Sequence, residues 1–311
     1  MLLYECSWGQ TIRDPADIPE NWNLILDASR LADAYAVVFH LPTVPDLTLL
    51  RKYPNQKWIG WSAECHSHYK HQADPEYMRQ FDLTMTYEWT SDVPAVYFGS
   101  HMCEEFRRAP RPKTASAPCV YFESSLVDRS GRHSFVLELM RFLPIHSYGK
   151  VLRNRILTED KGYETKFATI SQYKFVLAFE NAIGHDYVTE KFFDPLRCGT
   201  LPVYLGAPNV EEFAPGDHCY IDASKFNGTR ELAEYLIHLQ KHDAEYQAYF
   251  AWKRKAFREP FLRRLELVSK GPFTRLAMKL DETRHIPPRS RPVRDTVLAW
   301  IRNQRTPRPV L

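Results

Sequence analysis

The residues best placed to do chemistry are Thr189, Glu190 and Lys191. They follow a loop, Glu180 to Asp186, that carries Asn, Gly, His and Asp. Thr189 can cap a short helix, which puts Glu190 and Lys191 in or beside its first turn. Free backbone N–H groups at a helix start favour an anion, and Lys191 adds a full positive charge there. A phosphate-bearing ligand suits that arrangement. The same two charges could instead be ordinary solvated helix residues, because one strand-to-helix turn is weak evidence. Arg132 is a second candidate, at the start of another predicted helix. A guanidinium there can grip phosphate oxygens in a bidentate way, or it can lie on the helix surface. His66, His68 and His71 stand beside Glu64 and Cys65. This HxH pattern can bind zinc or form a loop that contacts a bound ligand, and histidines this close on a loop are usually not metal ligands. No metal site is expected.

Positioning these groups requires a particular set of elements. Tyr173 to Phe179 and Leu201 to Leu205 are apolar runs of strand length. Gly199 is placed to end the helix between them, just before Pro202. The β-loop-α-β unit implies parallel strands and a right-handed crossover. In a doubly wound sheet, ligands bind outside the carboxyl ends of the strands, where the loop after Phe179 lies. Upstream, Asn23–Leu26, Ala36–Phe39, Lys57–Trp61 and Leu83–Tyr87 read as strands, and Asp46 as the start of a helix. Residues 106–118, rich in Arg, Pro and Ala, read as a linker. Beyond it, Cys119–Phe122 reads as a strand and Ser134–Phe142 as a helix with Phe135, Leu139 and Phe142 on one face. Glu231–Leu239 reads as a helix with Leu232, Tyr235, Leu236 and Leu239 inward. Tyr246, Phe250, Trp252 and Phe257 read as packing residues, with sugar stacking by Trp252 the lesser reading. The expected division is 1–110, 111–283 and a tail, 284–311.

Composition fits an ordinary globular α/β protein. The chain has 311 residues, 44% apolar and 25% charged, enough for two cores. A net charge of +3 gives no case for a nucleic-acid partner. The start, MLLYECSWGQT, has no signal-peptide pattern, and no run of about 18 apolar residues occurs, so a cytoplasmic location is expected. The cysteines, at 6, 65, 103, 119, 198 and 219, form no CxxC pair and read as reduced, small packing residues. The tail carries seven arginines against Asp295, with an apolar island at Val297–Ile301. It is a candidate for peripheral contact with the inner face of a membrane, or for packing on the body of the protein.

The wording of the central stretch narrows the reading. FEN at 179–181, DYVTEK at 186–191 and GTLPVYLGAP at 199–208 closely resemble the donor-binding motif of the α-1,3/4-fucosyltransferases, glycosyltransferase family 10, in a form close to the bacterial one. The resemblance covers residues 57 to 258 in scattered blocks and does not reach the tail. It implies a GT-B fold, two Rossmann-like domains facing a cleft, with acceptor bound by the first and GDP-fucose by the second. It implies inverting transfer of L-fucose from GDP-fucose to a hydroxyl of a glycan acceptor, O3 of N-acetylglucosamine being the expected site. Glu64 matches the family's proposed catalytic base, and without the match it reads as a surface glutamate. Arg132 matches the arginine that binds the donor pyrophosphate. Asn181, Tyr187, Glu190 and Lys191 match donor-pocket positions, and Glu190 could also stabilise positive charge on the sugar as a second catalytic group. His66, His68, Glu88 and Trp89 fall where the acceptor is expected. Glu88 and Trp89 replace basic residues of animal members, and His146 replaces an acidic one. Asp-x-Asp occurs nowhere, so no cofactor is expected and a divalent metal should not be essential. A GT-B transferase using another nucleotide sugar, and a non-catalytic carbohydrate-binding protein, are the rival readings.

Overall fold

The computed structural model describes residues 1–4, 18–44 and 46–289. The contacts divide the chain into two compact units, Met1–Ala95 with Lys270–Leu311, and Val96–Ser269. Each is built on a parallel sheet.

In the first unit the strands are β1 (Leu2–Tyr4), β2 (Ala36–His40), β3 (Lys57–Ser62) and β4 (Leu83–Thr86), in that spatial order. Their near-continuous apolar runs reflect burial on both faces, as parallel sheets require. Ala36 and Val38 pack on one face, Val37 and Phe39 on the other. Asn23–Leu26, expected as a strand, contributes only an isolated bridge from Ile25 to Leu2. Asp46 caps a single 3-10 turn, Leu47–Leu49, rather than a longer helix. A short helix, α1 (Pro75–Met78), precedes β4.

The second unit holds helix α2 (Cys103–Arg107), strand β5 (Cys119–Tyr121), helix α3 (Arg132–Leu139), strand β6 (Ile145–Ser147) and helix α4 (Tyr163–Ile170). Strand β7 (Phe175–Phe179), helix α5 (Glu190–Arg197), strand β8 (Leu201–Leu205) and strand β9 (Ile221–Asp222) follow. Helices α6 (Thr229–Lys241), α7 (Asp243–Ala248) and α8 (Glu259–Leu267) complete it. The sheet order is β6-β5-β7-β8-β9, all parallel. Leu232, Leu236 and Leu239 of α6 are buried, with Tyr235 packed against the same core. Trp252 is buried with Phe106 edge-on to its ring, a packing role.

Two expected boundaries move. Residues 106–118 are not a free linker: Phe106 is fully buried, and Lys113 Nζ donates to Ser171 O at 2.9 Å and Gly199 O at 2.8 Å. The division falls between Ala95 and Val96 instead of near 110. At the other end the chain returns to the first unit at Lys270, well before 283. Helix α9 (Pro272–Glu282) lays Leu276, Ala277 and Leu280 on the sheet face formed by Ala36, Val38, Ile59 and Met85. Trp22 Nε1 donates to Asp281 Oδ2 at 3.1 Å, and Lys57 Nζ to Ile286 O at 2.6 Å, so Arg284–Arg289 begins on the body of this unit. The rest of the basic tail, with Val297–Ile301, lies outside the described residues, as do Cys6 and Pro45. Cys65, Cys103, Cys119, Cys198 and Cys219 are free thiols.

Because α9 covers one sheet face, Leu276→Ala should destabilise the first unit. A buried leucine truncation costs about 2–5 kcal/mol. Denaturant melts followed on both units should show the first unit alone losing stability; equal loss in both would contradict the assignment of α9.

Candidate functional site

The second sheet changes its direction of growth at β5, which is flanked by β6 and β7. The crevice outside the carboxyl ends of β5 and β7 is therefore the binding position for such a sheet. Glu123 follows β5 and Glu180 is the first residue after β7. Arg132 opens α3 and reaches back between them. It is fully buried, ion-paired with Glu123, and donates to Phe179 O and Val127 O at 3.1 Å each. Its Nε has no hydrogen-bond partner. Asp128 holds the start of α3 by accepting from the backbone N–H of Arg132 at 2.9 Å and of His133 at 3.1 Å. The Tyr148-Gly149 loop presses on Glu123: a Cβ at position 149 would lie 1.8 Å from the Glu123 carbonyl oxygen, so only glycine fits.

Helix α5 is set by a buried carboxylate. Glu180 accepts from the Thr189 backbone N–H at 2.8 Å and from the Thr189 hydroxyl at 2.7 Å. The Thr189 hydroxyl oxygen accepts from the Lys191 N–H at 3.3 Å, the capping expected from the sequence. Lys191 Nζ lies 3.1 Å from Glu190 Oε1 and 3.7 Å from Glu180 Oε2. Burial pushes the Glu180 carboxyl up to about 7, against the pull of Lys191 and the Thr189 hydrogen bonds. Burial also acts to raise Glu190, but Lys191 and Lys166 overcome it and hold that carboxyl below its ordinary value. Burial disfavours the Lys191 ammonium, yet Glu190, Glu180 and Glu123 outweigh it and raise its pKa. Lys191 stays charged, with Glu190 as its nearest carboxylate.

A cavity at this point is lined by Tyr121, Glu123, Lys166, Phe179, Lys191 and Asp194. Asn181 and Tyr187 are both buried and brace the loop between β7 and α5, the Tyr187 hydroxyl donating to Asn181 Oδ1 at 3.0 Å. Asp186, at φ 64°, is held by reciprocal bonds with Asn209, each 2.9 Å. Of the expected donor residues, Arg132, Asn181, Tyr187, Glu190 and Lys191 thus gather around one end of one sheet. Glu123, Glu180, Lys166 and Asp194 join them and carried no assignment from the sequence. A carboxylate directly after an apolar strand, as at Glu180, was the available signal.

In the first unit, the loops after β3 and β4 lie side by side, because Ser62 pairs with Thr86. Glu64 stands in the first loop, its N–H bonded to Ser62 Oγ at 3.1 Å. His66 Nδ1 meets the Tyr87 hydroxyl at 2.8 Å and lies 3.4 Å from Glu88 Oε1. A cavity is lined by His66, Gln72, Thr86, Tyr87, Glu88 and Ser91. Its lining does not include Glu64, His68 or Trp89. His68 lies edge-on to Tyr69.

The pattern of an N-terminal and a C-terminal parallel-sheet unit agrees with the comparisons. Residues 110–293 match the family described as glycosyltransferase family 10 (fucosyltransferase) C-term, and residues 19–98 match fucosyltransferase, N-terminal. The chain belongs to glycosyltransferase family 10. It is 42% identical to GDP-fucose protein O-fucosyltransferase 3 of Homo sapiens over 145 residues, 45% of this chain and 30% of that protein. It is 37% identical to the Gallus gallus protein of the same name over 188 residues, 58% of this chain and 39% of that one. The chain therefore spans only about a third of the length of these relatives. They are animal proteins, so the resemblance expected to a bacterial form holds at the level of the family. A crystal structure of an alpha1,3-fucosyltransferase superposes with a TM-score of 0.61 at 18% identity, covering 93% of this chain and 90% of that one. A second, of alpha1,3-fucosyltransferase with GDP, gives 0.57 at 17% identity, covering 85% and 81%. The fold of this family 10 chain is GT-B.

The raised Glu180 carboxyl makes a pH prediction. Its folded value, about 7, lies above the ordinary 4.5. Its contribution to stability is therefore fully present below pH 4.5 and is lost as pH rises through about 7. If Lys191 takes a diphosphate, as proposed below, ionised Glu180 would compete for it. GDP affinity should fall with rising pH above 7 by up to about tenfold per unit relative to Glu180→Gln. Calorimetry giving the same pH slope in both proteins would remove Glu180 from the linkage.

Proposed function

We propose that this protein transfers L-fucose from GDP-fucose to a hydroxyl acceptor with inversion at the anomeric carbon. The observation that carries the reading is the start of α5, where Lys191, its own N–H capped by the Thr189 hydroxyl, stands at the switch point of the sheet. Lys191 would neutralise the pyrophosphate and ease departure of GDP. Protonated Glu180 would leave Lys191 with one fewer competing carboxylate. Glu190, held ionised by Lys191 and Lys166, would face the positive charge that develops on the sugar. Arg132, fully buried and paired with Glu123, would act from behind the site, fixing the segments after β5 and β7 that face the diphosphate. In the first unit, Glu64 would remove the acceptor proton, and His66 and Glu88 would contact the acceptor, with His68 and Trp89 at the margin. Departure of a diphosphate neutralised by Lys191 would need no divalent metal.

Two acceptor classes follow. The family resemblance supports O3 of N-acetylglucosamine in a glycan. The relatives at 37–42% identity are named as protein O-fucosyltransferases, which favours a serine or threonine hydroxyl of a protein. Incubation with labelled GDP-fucose, in EDTA, with folded protein domains and with a glycan panel separates the two. Label on neither, or activity that appears only on adding a divalent ion, would contradict the reading.

Two substitutions test the roles. Lys191→Ala should weaken GDP binding by about 1.5–3 kcal/mol, the range for a hydrogen bond to a charged group. Unchanged calorimetric affinity would move the diphosphate elsewhere. Glu64→Gln keeps the shape and removes the basicity, so GDP should still bind while transfer falls by about 10²–10⁴-fold. Near-native turnover with an intact acid limb would make another residue the base, Glu190 being the next to examine.

A further inference from the structure

We propose that His238, His242 and Glu245 form a surface site for a divalent transition-metal ion of the zinc class, at the junction of α6 and α7. Among the described residues this is the group of histidine, cysteine and carboxylate side chains whose ligand atoms come together, all within 4.8 Å of one another. His238 and His242 are one helical turn apart, so they project from the same face. Their rings stack with centroids 3.9 Å apart and planes within 19°. Glu245, in the first turn of α7, brings Oε2 to 2.9 Å from His238 Nε2, which donates to it; an ion bound here would displace that proton to solvent. Two imidazoles and one carboxylate make a donor set that suits zinc, with open positions left for water.

A second feature separates this trio from an ordinary ion pair. His242 Nδ1 lies 2.8 Å from the His238 carbonyl oxygen. A carbonyl only accepts, so Nδ1 carries the proton and Nε2 keeps its lone pair for a metal. That is the outer hydrogen bond by which metal-binding histidines are oriented. The backbone beneath is fixed independently of any ion. Leu232, Leu236 and Leu239 anchor α6 in the core, and Tyr246 anchors α7, its hydroxyl donating to Lys174 O at 3.1 Å. Bonds of about 2.0–2.1 Å to zinc require the three ligand atoms to draw closer than 4.8 Å. His238 and Glu245 are 44% and 56% exposed, so only solvated side chains have to move. An ion there would tie the end of α6 to α7. The site does not rest on the proposed transfer reaction, and it lies outside the residues assigned to that reaction.

The test is calorimetric titration of zinc chloride into the EDTA-stripped and desalted protein, with thermal melting alongside. The wild-type chain should bind one equivalent, and zinc should raise its melting temperature by mass action. The double variant His238→Ala/His242→Ala should lose that equivalent, and Glu245→Gln should bind about tenfold more weakly or worse. Both variants should melt like the wild type without zinc, since the altered side chains are solvated. Absence of a stoichiometric site in the wild type would overturn the proposal. So would its persistence in the double variant, which would place the ion on other residues.

Discussion

The carboxyl group of Glu180 is the constraint on which the geometry at the start of α5 depends. A fully buried carboxylate is tolerated only when its oxygens find donors. Here both oxygens are used on Thr189, one by its N–H and one by its hydroxyl. The interaction satisfies Glu180 and fixes the first turn of α5 at once, which delivers Lys191 and Glu190 to the switch point. The surroundings are shaped by the same group. A Cβ at Gly206 would lie 2.5 Å from Glu180 Cγ and 2.3 Å from the Tyr204 hydroxyl, so the chain must pass bare backbone over them. The Tyr204 hydroxyl accepts from the Ala207 N–H at 3.0 Å and donates to Tyr187 O at 3.3 Å, tying β8 to the loop that carries Tyr187.

The other end of α5 is anchored by two cations, Lys253 buried and Lys113 partly so. Lys253 Nζ donates to Leu196 O and Phe106 O, both at 2.9 Å, and Lys113 Nζ reaches Gly199 O. Positive charge at a helix carboxyl end complements the helix dipole. Burial lowers both ammonium groups to about 8. With a carboxylate at one end and ammonium groups at the other, α5 has little freedom to slide. Residues 106–118 belong to the second unit because Phe106 and Lys113 supply part of this anchor.

How much of this was legible in the sequence depends on the kind of signal. The apolar runs of β2, β3, β7 and β8 and the spacing of Leu232, Leu236 and Leu239 are local patterns, and each maps onto the element it implied. The capping by Thr189 was equally local. Three features were not local. Residues 106–118 look like a linker by composition, and only the carbonyls of Ser171 and Gly199, far along the chain, reveal that Lys113 is tied to the body of the unit. Helix α9 reads as more of the second domain by position, yet its Leu276 face belongs to the first sheet. Arg132 was expected as an open phosphate ligand, whereas its pairing with Glu123 and Phe179 O depends on three chain segments meeting. Burial of charge is decided by tertiary partners, and a single sequence does not display those.

The central claim is that a diphosphate sits at the start of α5, and a crystal structure with bound GDP tests it most directly. The account predicts phosphate oxygens within hydrogen-bonding distance of Lys191 Nζ, about 2.7–2.9 Å for a charge-assisted pair. It also predicts that Glu180 stays bonded to Thr189. A diphosphate bound away from Lys191, or a rearranged Thr189 turn with Glu180 turned toward solvent, would contradict it.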